Sequence, residues 1–315
     1  KRIVFTEADH YKVLKAAETA RDEGIVNPIL LGSRERILEM IEEHRIELPD
    51  VPIIDPMDPG QRERVEEFAA HLLAKRQRKG LTREEAVGLM RRRSYFGSML
   101  VETGEADAVI SGLTRNYRES LLPPLQILGL AEGVKKVAGM YIVQAKSGPM
   151  FFADTTVNRD PSARELVDIT LLAAEAVRAM RIVPRIAMLS YSNFGSANGR
   201  DAEKVREAVS ILHAEHPDVI VDGEMQANVA LNGELSEELF PFSNLRGRKV
   251  NTLIFPNLAA GNISYKLIQE MGGFEVVGPI LLGLRKPFHI LQMGSSVREI
   301  VNMVRIAAVD AQTNR

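Results

Sequence analysis

A glycine–serine turn at residues 292–299, QMGSSVRE, has the residue types needed to bind an anion. Ser296 and Glu299 stand in the S-x-x-E spacing of a capping box, which predicts that a helix begins there. The free N–H groups and partial positive charge of a helix start suit a phosphate-type group. Gln292 and Met293, just before the turn, are neither charged nor titratable. The turn therefore predicts anion binding without an adjacent acid or base.

Two further loops place polar residues and glycines after predicted strands. SYSNFGS (190–196) contributes Ser192, Asn193, Gly195 and Ser196, and FPNLAAGNISYK (255–266) contributes Asn257, Gly261, Asn262 and Lys266. In open α/β sheets, ligands bind outside the carboxyl ends of strands. An ordinary polar loop explains each segment about as well as a binding loop does. Three such loops at one sheet edge favour an elongated ligand that carries phosphate groups.

Other chemistries have little support. No G-x-G-x-x-G follows a strand, and GPILLGLRK (278–286) has P-loop glycine spacing without the Lys-Ser/Thr pair, so it is interpreted as a strand. His213 and His216 lie one helical turn apart but lack a third ligand, and we expect no metal site. The basic clusters at 75–79 and 91–93 lie near predicted helix C-termini, where a solvated structural role is favoured.

Composition narrows the class of protein. The 315 residues carry 40 basic and 42 acidic side chains, a net charge of −2, so neither nucleic acid nor a membrane is expected as a partner. The absence of cysteine excludes thiolate nucleophiles and fits a cytoplasmic protein. No apolar run reaches the ~18 residues of a membrane span, and no signal peptide is visible. The start at Lys1, directly on a strand and without Met, predicts a chain cut at a domain boundary.

Short apolar runs alternate with amphipathic helical stretches along the chain. This alternation predicts an α/β fold with largely parallel sheets. Capping boxes at Thr82/Glu85 and Ser162/Glu165 indicate two further helix starts. The segment 134–157 interrupts the alternation with a predicted hairpin, which marks entry into a second domain. The predicted strands are 2–6, 28–32, 51–55, 106–111, 140–145, 151–157, 185–191, 219–225, 252–256, 275–282 and 288–292.

Five long motifs in order, at 95–112, 190–209, 221–232, 255–287 and 294–312, resemble the phosphate acetyltransferase (phosphotransacetylase) family. The likeness runs nearly from end to end. It implies a two-domain fold of mostly parallel sheets flanked by helices, with coenzyme A in the cleft between the domains. Residues 1–134 with 280–315 would form the first domain. The inserted 135–279 would form the second, which carries the oligomer interface.

The resemblance also shows where this sequence differs from the family's pattern. Members of the family join an acetyl group to coenzyme A using acetyl phosphate. Where the family has Ser-Arg-Gly-Cys-Ser, residues 292–296 of this sequence are Gln-Met-Gly-Ser-Ser, and Glu299 stands in the place of a family Asp. Where the family has Leu-Arg-Pro, residues 121–123 are Leu-Leu-Pro. Met293 and Leu122 thus replace two arginines, whereas Arg76 matches a third. Preorganised charge is worth ~10²–10³ in rate per group, so this loss predicts turnover lowered by ~10⁴ or more.

The variants LTRNY, FFADTTVN, SYSNFGS and LQMGSSVREIVNM look in particular like the C-terminal region of large bacterial NADP-dependent malic enzymes. This likeness implies a non-catalytic or weakly catalytic region that binds acetyl-CoA as a regulator and forms at least a dimer. NADP and a divalent metal would belong only to upstream domains that oxidise malate. An active acyltransferase is the alternative. The expected acetyl-CoA contacts are Arg76, Ser192, Asn193, Gly195, Ser196, Asn257, Asn262, Lys266, Gln292, Met293, Gly294, Ser295, Ser296 and Glu299.

Overall fold

The computed structural model describes residues 1–313. These residues divide into two compact units, which are described separately. Unit 1 consists of residues 1–132 together with the chain from Leu284 onward, and unit 2 is Gly133–Gly283. Within the described residues, no helix is both long enough and apolar enough to cross a membrane.

Unit 1 is built on a five-stranded sheet in the order β11-β4-β1-β2-β3, and every strand pair in it is parallel. The central strands are buried because helices cover the sheet, as expected for an all-parallel arrangement. The strands are β1 Arg2–Phe5, β2 Asn27–Leu31, β3 Ile53–Ile54, β4 Ala108–Ser111 and β11 Phe288–Ile290. The helices are α1 Tyr11–Asp22, α2 Arg34–Glu43, α3 Arg62–Arg76, α4 Arg83–Met90, α5 Arg93–Glu102, α6 Tyr117–Ile127 and α12 Val297–Thr313.

Unit 2 contains a six-stranded sheet in the order β10-β5-β6-β9-β7-β8. Strands β6, β9, β7 and β8 are parallel, whereas β5 pairs antiparallel with β6 and β10. The strands are β5 Ala138–Ala145, β6 Gly148–Ala153, β7 Ile186–Leu189, β8 Val221–Met225, β9 Thr252–Ile254 and β10 Glu275–Leu282. The helices are α7 Ala163–Ala179, α8 Arg200–Glu215, α9 Ala227–Leu231, α10 Gly233–Leu239 and α11 Leu258–Gly272.

The predicted α/β class with mostly parallel sheets is confirmed. The predicted hairpin is β5–β6, in which Ala145 pairs with Gly148 across a two-residue turn. The interpretation of 278–286 as strand rather than P-loop holds for its first part, because β10 runs to Leu282. Each predicted strand is present, although several are shorter than the apolar runs that predicted them.

Candidate functional site

The turn after β11 has the predicted capping geometry. The Ser296 N–H donates to Glu299 Oε2 at 2.7 Å, and the Glu299 N–H donates to Ser296 Oγ at 3.2 Å. Gly294 has φ of 89°, a left-handed conformation that favours glycine. The helix start predicted at Ser296 is therefore confirmed. The carboxylate of Glu299 is used for this cap, which limits its availability as a base.

Lys12 brings a cation to this turn. Its Nζ donates to Ser295 O at 3.0 Å and to Gly294 O at 3.3 Å. Lys12 lies in the first turn of α1, where the helix dipole disfavours a positive charge. Lys12 is not among the contacts predicted from the sequence. A lysine in the first turn of a helix, where the dipole disfavours a cation, is the signal that could have predicted it.

Two apolar side chains stand where the resemblance places arginines. Met293 in the turn is 68% exposed, and Leu122 in α6 is 47% exposed. Neither is needed to fill the core at its position. Exposed apolar side chains cannot neutralise the charge of a phosphate group, so these two positions do not supply the charge that the resemblance assigns to them.

The carboxyl ends of β1 and β4 form the topological switch point of unit 1. The chain leaving β1 goes to β2 on one side, and the chain leaving β4 returns to this sheet as β11 on the other side. Loops that depart in opposite directions leave a crevice between them, and ligands of open α/β sheets bind in such crevices. A ligand site is therefore expected between the segments that follow Phe5 and Ser111.

A cavity of about 640 Å³ occupies this position. Its lining is rich in arginine, and we call it the arginine cavity. Leu122 and Pro123 contribute apolar wall. The other lining residues are Thr6, Glu7, Asp9, His10, Arg36, Arg91, Arg92, Arg93, Ser94, Tyr95, Ser111, Thr114, Arg115 and Glu119. The cluster at 91–93, for which the sequence favoured a solvated role, thus lines a cavity at the switch point.

Arg76 lines a second cavity of unit 1, of about 560 Å³, together with Lys79 and Gln126. Arg92 and Tyr95 line both this cavity and the arginine cavity. The Tyr95 hydroxyl donates to Gln126 Oε1 at 2.8 Å, and burial raises the pKa of this phenol. Tyr95 therefore stays protonated at neutral pH and acts as a neutral hydrogen-bonding group.

The SYSNFGS loop of unit 2 is organised around a buried carboxylate. Ser192 Oγ donates to Glu224 Oε1 at 2.7 Å, and the Gly195 N–H donates to the same oxygen at 2.8 Å. Asn193 Oδ1 accepts from the Gln226 N–H at 2.7 Å. Three of the expected contact residues thus use polar groups to shape their own loop. Sequence reasoning missed Glu224, which lies within the VDGEM motif.

Arg206 completes this cluster. Its Nε donates to Glu224 Oε2 at 3.1 Å, and its Nη2 donates to Oε1 at 3.1 Å. Burial alone would raise the pKa of the Glu224 carboxyl, but hydrogen bonds from Arg206, Ser192 and Gly195 outweigh it and hold the pKa below its usual range. Ser196, in contrast, is exposed at the edge of the loop, where its Oγ accepts from the Asn193 N–H at 2.9 Å.

In the segment after β9, predicted contact residues also form hydrogen bonds that stabilise the fold. Asn257 caps α11, because its Oδ1 accepts from the N–H three residues on at 2.9 Å. Asn262 Nδ2 donates to Thr155 O at 3.3 Å. Lys266 is exposed, with its Nζ 5.2 Å from the centre of the Tyr265 ring. The structure therefore corrects the predicted loop: Asn257 is the N-cap of α11, and Asn262 and Lys266 lie within the helix. Of these three predicted contacts, only Lys266 presents a charge to solvent.

The predicted contact residues fall into both units. Arg76, Gln292, Met293, Gly294, Ser295, Ser296 and Glu299 lie in unit 1, and Ser192, Asn193, Gly195, Ser196, Asn257, Asn262 and Lys266 lie in unit 2. Their contact with acetyl-CoA stays a prediction. No group of His, Cys, Asp and Glu side chains suitable for a metal ion occurs among residues 1–313.

The fold and the switch-point crevice define an α/β protein with a candidate ligand site at the carboxyl ends of parallel strands. The family model described as phosphate acetyl/butaryl transferase matches residues 1–308, and the chain belongs to this family. It is 36% identical to a phosphate acetyltransferase of Clostridium acetobutylicum, over 99% of this chain and 95% of that protein. A phosphotransacetylase structure from Streptococcus pyogenes superposes with a TM-score of 0.89 at 35% identity, over 99% of this chain and 94% of the other.

The chain is also similar to part of a larger enzyme. It is 39% identical to the NADP-dependent malic enzyme of Haemophilus influenzae over 99% of its own length. It spans only 41% of that enzyme. The chain thus matches nearly the whole length of phosphate acetyltransferases and one part of a malic enzyme.

Proposed function

We propose that this chain binds acetyl-CoA and a phosphate-type anion, and that it transfers the acyl group between coenzyme A and acyl phosphate slowly. The observation that carries the proposal is the arginine cavity at the switch point of unit 1, in a chain of the phosphate acetyltransferase family. A crevice at that position is where this class of sheet binds ligands. Arginine is well suited to phosphate because its donors match the oxygens in a bidentate geometry.

Acyl transfer requires the protein to supply a base and to neutralise charge on phosphate. The sulfur of coenzyme A forms a bond to the acetyl carbon, and the carbon–oxygen bond breaks as phosphate leaves with the electron pair. The thiol proton must go to a base, and the charge on phosphate must be neutralised. Glu299 is engaged by the Ser296 N–H at 2.7 Å, and Met293 carries no charge. The turn therefore supplies binding but little acceleration, which is why we propose slow turnover.

Regulation within a malic enzyme is the second candidate function. The exposed apolar side chains at Leu122 and Met293 favour it, because they replace the charges that catalysis uses in the family. Acetyl-CoA would then act as a regulator of malate oxidation. NADP and a divalent metal would be bound by other domains of such an enzyme, and the protein would be cytoplasmic.

Two measurements test the proposal. Isothermal titration should show acetyl-CoA binding, and a thiol-release assay with acetyl phosphate should give turnover ~10⁴-fold below a typical kcat of ~10 s⁻¹. Absence of acetyl-CoA binding would refute both candidate functions. Binding with turnover below the detection limit would select the regulatory function, whereas turnover within tenfold of ~10 s⁻¹ would refute slow transfer.

We further propose that the chain forms at least a dimer through unit 2. Helix α11 exposes Ile263, Leu267 and Met271, which recur every four residues and lie on one face. An apolar stripe of this kind gains free energy when a partner surface covers it. Homo-oligomers are usually closed and symmetric, so a two-fold dimer is the simplest arrangement.

A further inference from the structure

We propose that the arginine cavity binds the phosphoryl group of acyl phosphate, or inorganic phosphate, through Arg91, Arg92 and Arg115. The inference rests on the proposed function for the identity of the ligand. It goes beyond it by assigning phosphate recognition to three residues outside the expected contact set. The charge missing at Leu122 is thereby supplied by other side chains of the same cavity.

Three arginines of the cavity form no ion pair with an acidic side chain. Among residues 1–313, no salt bridge within 4 Å joins a carboxylate to Arg91, Arg92 or Arg115, whereas Arg36 interacts electrostatically with Asp9. Arg91, Arg92 and Arg115 all line the same cavity, so their positive charges face a shared space. A multiply charged anion bound there would provide acceptors for their donors.

The acidic residues of the cavity do not neutralise these arginines. Asp9 Oδ1 accepts from Arg93 Nη1 at 2.6 Å, so one acid is matched by a fifth arginine. Glu7 is buried, and its carboxylate accepts from the N–H groups of Leu113 at 2.7 Å and Thr114 at 2.8 Å. Glu119 is the one remaining acid of the lining. The cavity therefore keeps an excess of positive charge in a chain whose net charge is −2.

The backbone adds donors on the same side. Helix α5 begins at Arg93, and Arg92 at its N-cap forms no side-chain capping hydrogen bond. The first N–H groups of a helix lack intrahelical partners, and the helix dipole favours an anion there. The arginines and the uncapped helix start thus act together on a ligand at the carboxyl ends of β1 and β4.

The dimensions of the cavity indicate the class of ligand. A volume of about 640 Å³ accommodates a small phosphorylated molecule and does not require an extended polymer. The apolar wall at Leu122 and Pro123 suits a small acyl group beside the phosphate. A phosphate monoester or acyl phosphate therefore fits the cavity better than a simple carboxylate does.

The test compares a double variant with a matched control. Arg91→Gln/Arg115→Gln removes two unpaired cations of the cavity. Arg78→Gln removes one exposed cation of unit 1 that does not line the arginine cavity. Titration with inorganic phosphate, followed by ³¹P NMR or calorimetry, should show at least tenfold weaker binding to the double variant and unchanged binding to Arg78→Gln. Thermal unfolding of each variant confirms that it is folded.

Titration of the same samples with acetyl-CoA separates this inference from the proposed function. If the double variant binds phosphate as the unsubstituted chain does, or if the unsubstituted chain binds no phosphate at millimolar concentration, the assignment is wrong, even when acetyl-CoA binds. If phosphate binding falls while acetyl-CoA binding is retained, the cavity is assigned to acyl phosphate. If acetyl-CoA and phosphate exclude each other and both weaken in the double variant, the cavity binds a phosphate of coenzyme A instead, and the assignment to acyl phosphate is overturned.

Discussion

The proposed function predicts that restoring the two missing cations raises the rate of acyl transfer. The perturbation is the double substitution Leu122→Arg/Met293→Arg, which places guanidinium groups where the family carries arginines. Leu122 lies in the wall of the arginine cavity, and Met293 lies in the turn that precedes α12. The new charge at 122 would lie in the wall of that cavity, and the new charge at 293 would lie in the turn that is predicted to bind an anion.

The structure allows the cost in stability to be worked out. Full burial of a leucine is worth about 1.5–3 kcal/mol, and Leu122 is already 47% exposed, so replacing it puts roughly half of that at risk. Met293 is 68% exposed and contributes less. The arginine stems recover part of the loss by packing their methylene groups. A domain with a free energy of unfolding of about 5–15 kcal/mol should tolerate both changes.

The gain in rate should exceed this cost by a wide margin. One preorganised donor is worth ~10²–10³ in kcat, which is about 2.7–4 kcal/mol of transition-state free energy. Two donors that act on one group are not additive, so we expect a gain between ~10² and ~10⁴. Because the gain depends on charge developing on the leaving phosphate, it should appear mainly in kcat and less in the KM for acetyl-CoA.

The assay is thiol release from coenzyme A with acetyl phosphate as the acyl donor. The matched control is Leu38→Arg/Met57→Arg, which adds two cations to unit 1 at side chains that are 44% and 64% exposed and lie outside the arginine cavity. The control should leave turnover unchanged. A double variant that is folded and gains less than threefold, or a control that gains equally, would show that the charges at 122 and 293 do not limit the reaction.

Three further predictions concern the scaffold. Glu224→Gln should remove part of the pH dependence of the free energy of unfolding. Because the pKa of Glu224 is depressed in the folded state, its stabilising contribution is present above the unfolded-state pKa of ~4.3 and is lost as the pH falls below that value. Urea unfolding from pH 7 to pH 3 would measure this. Gly261→Ala should lower Tm because its methyl group would lie 2.6 Å from Asp154 O, whereas Gly88→Ala in α4, where the added methyl meets no atom within 4 Å, should not lower it. Leu267→Asp should reduce the particle mass in light scattering from at least a dimer toward the ~35 kDa of one chain, and Leu122→Asp should not; a particle of one chain before substitution contradicts the dimer.

The local structure of this protein follows closely from its sequence. The capping boxes at Ser296/Glu299, Thr82/Glu85 and Ser162/Glu165 were all predicted and are all present, because the partners are three residues apart and the backbone geometry of a helix start fixes their distance. The strands were predicted for a similar reason, since a run of buried apolar residues between turn signals is itself local information.

The candidate site depended on information that local patterns do not contain. Lys12 and Ser295 are 283 residues apart in sequence, yet they are joined by a hydrogen bond of 3.0 Å. The sequence favoured a solvated role for Arg91 and Arg92 near a helix end. In the structure, both line the same cavity as Arg115, which follows β4. The strand order, with β4 beside β1 rather than β3, is decided by the packing of whole strands and helices. The sequence by itself therefore determined the elements, their caps and the family, whereas the tertiary structure decided which charges share a cavity, because strand order sets long-range proximity and no short-range pattern records it.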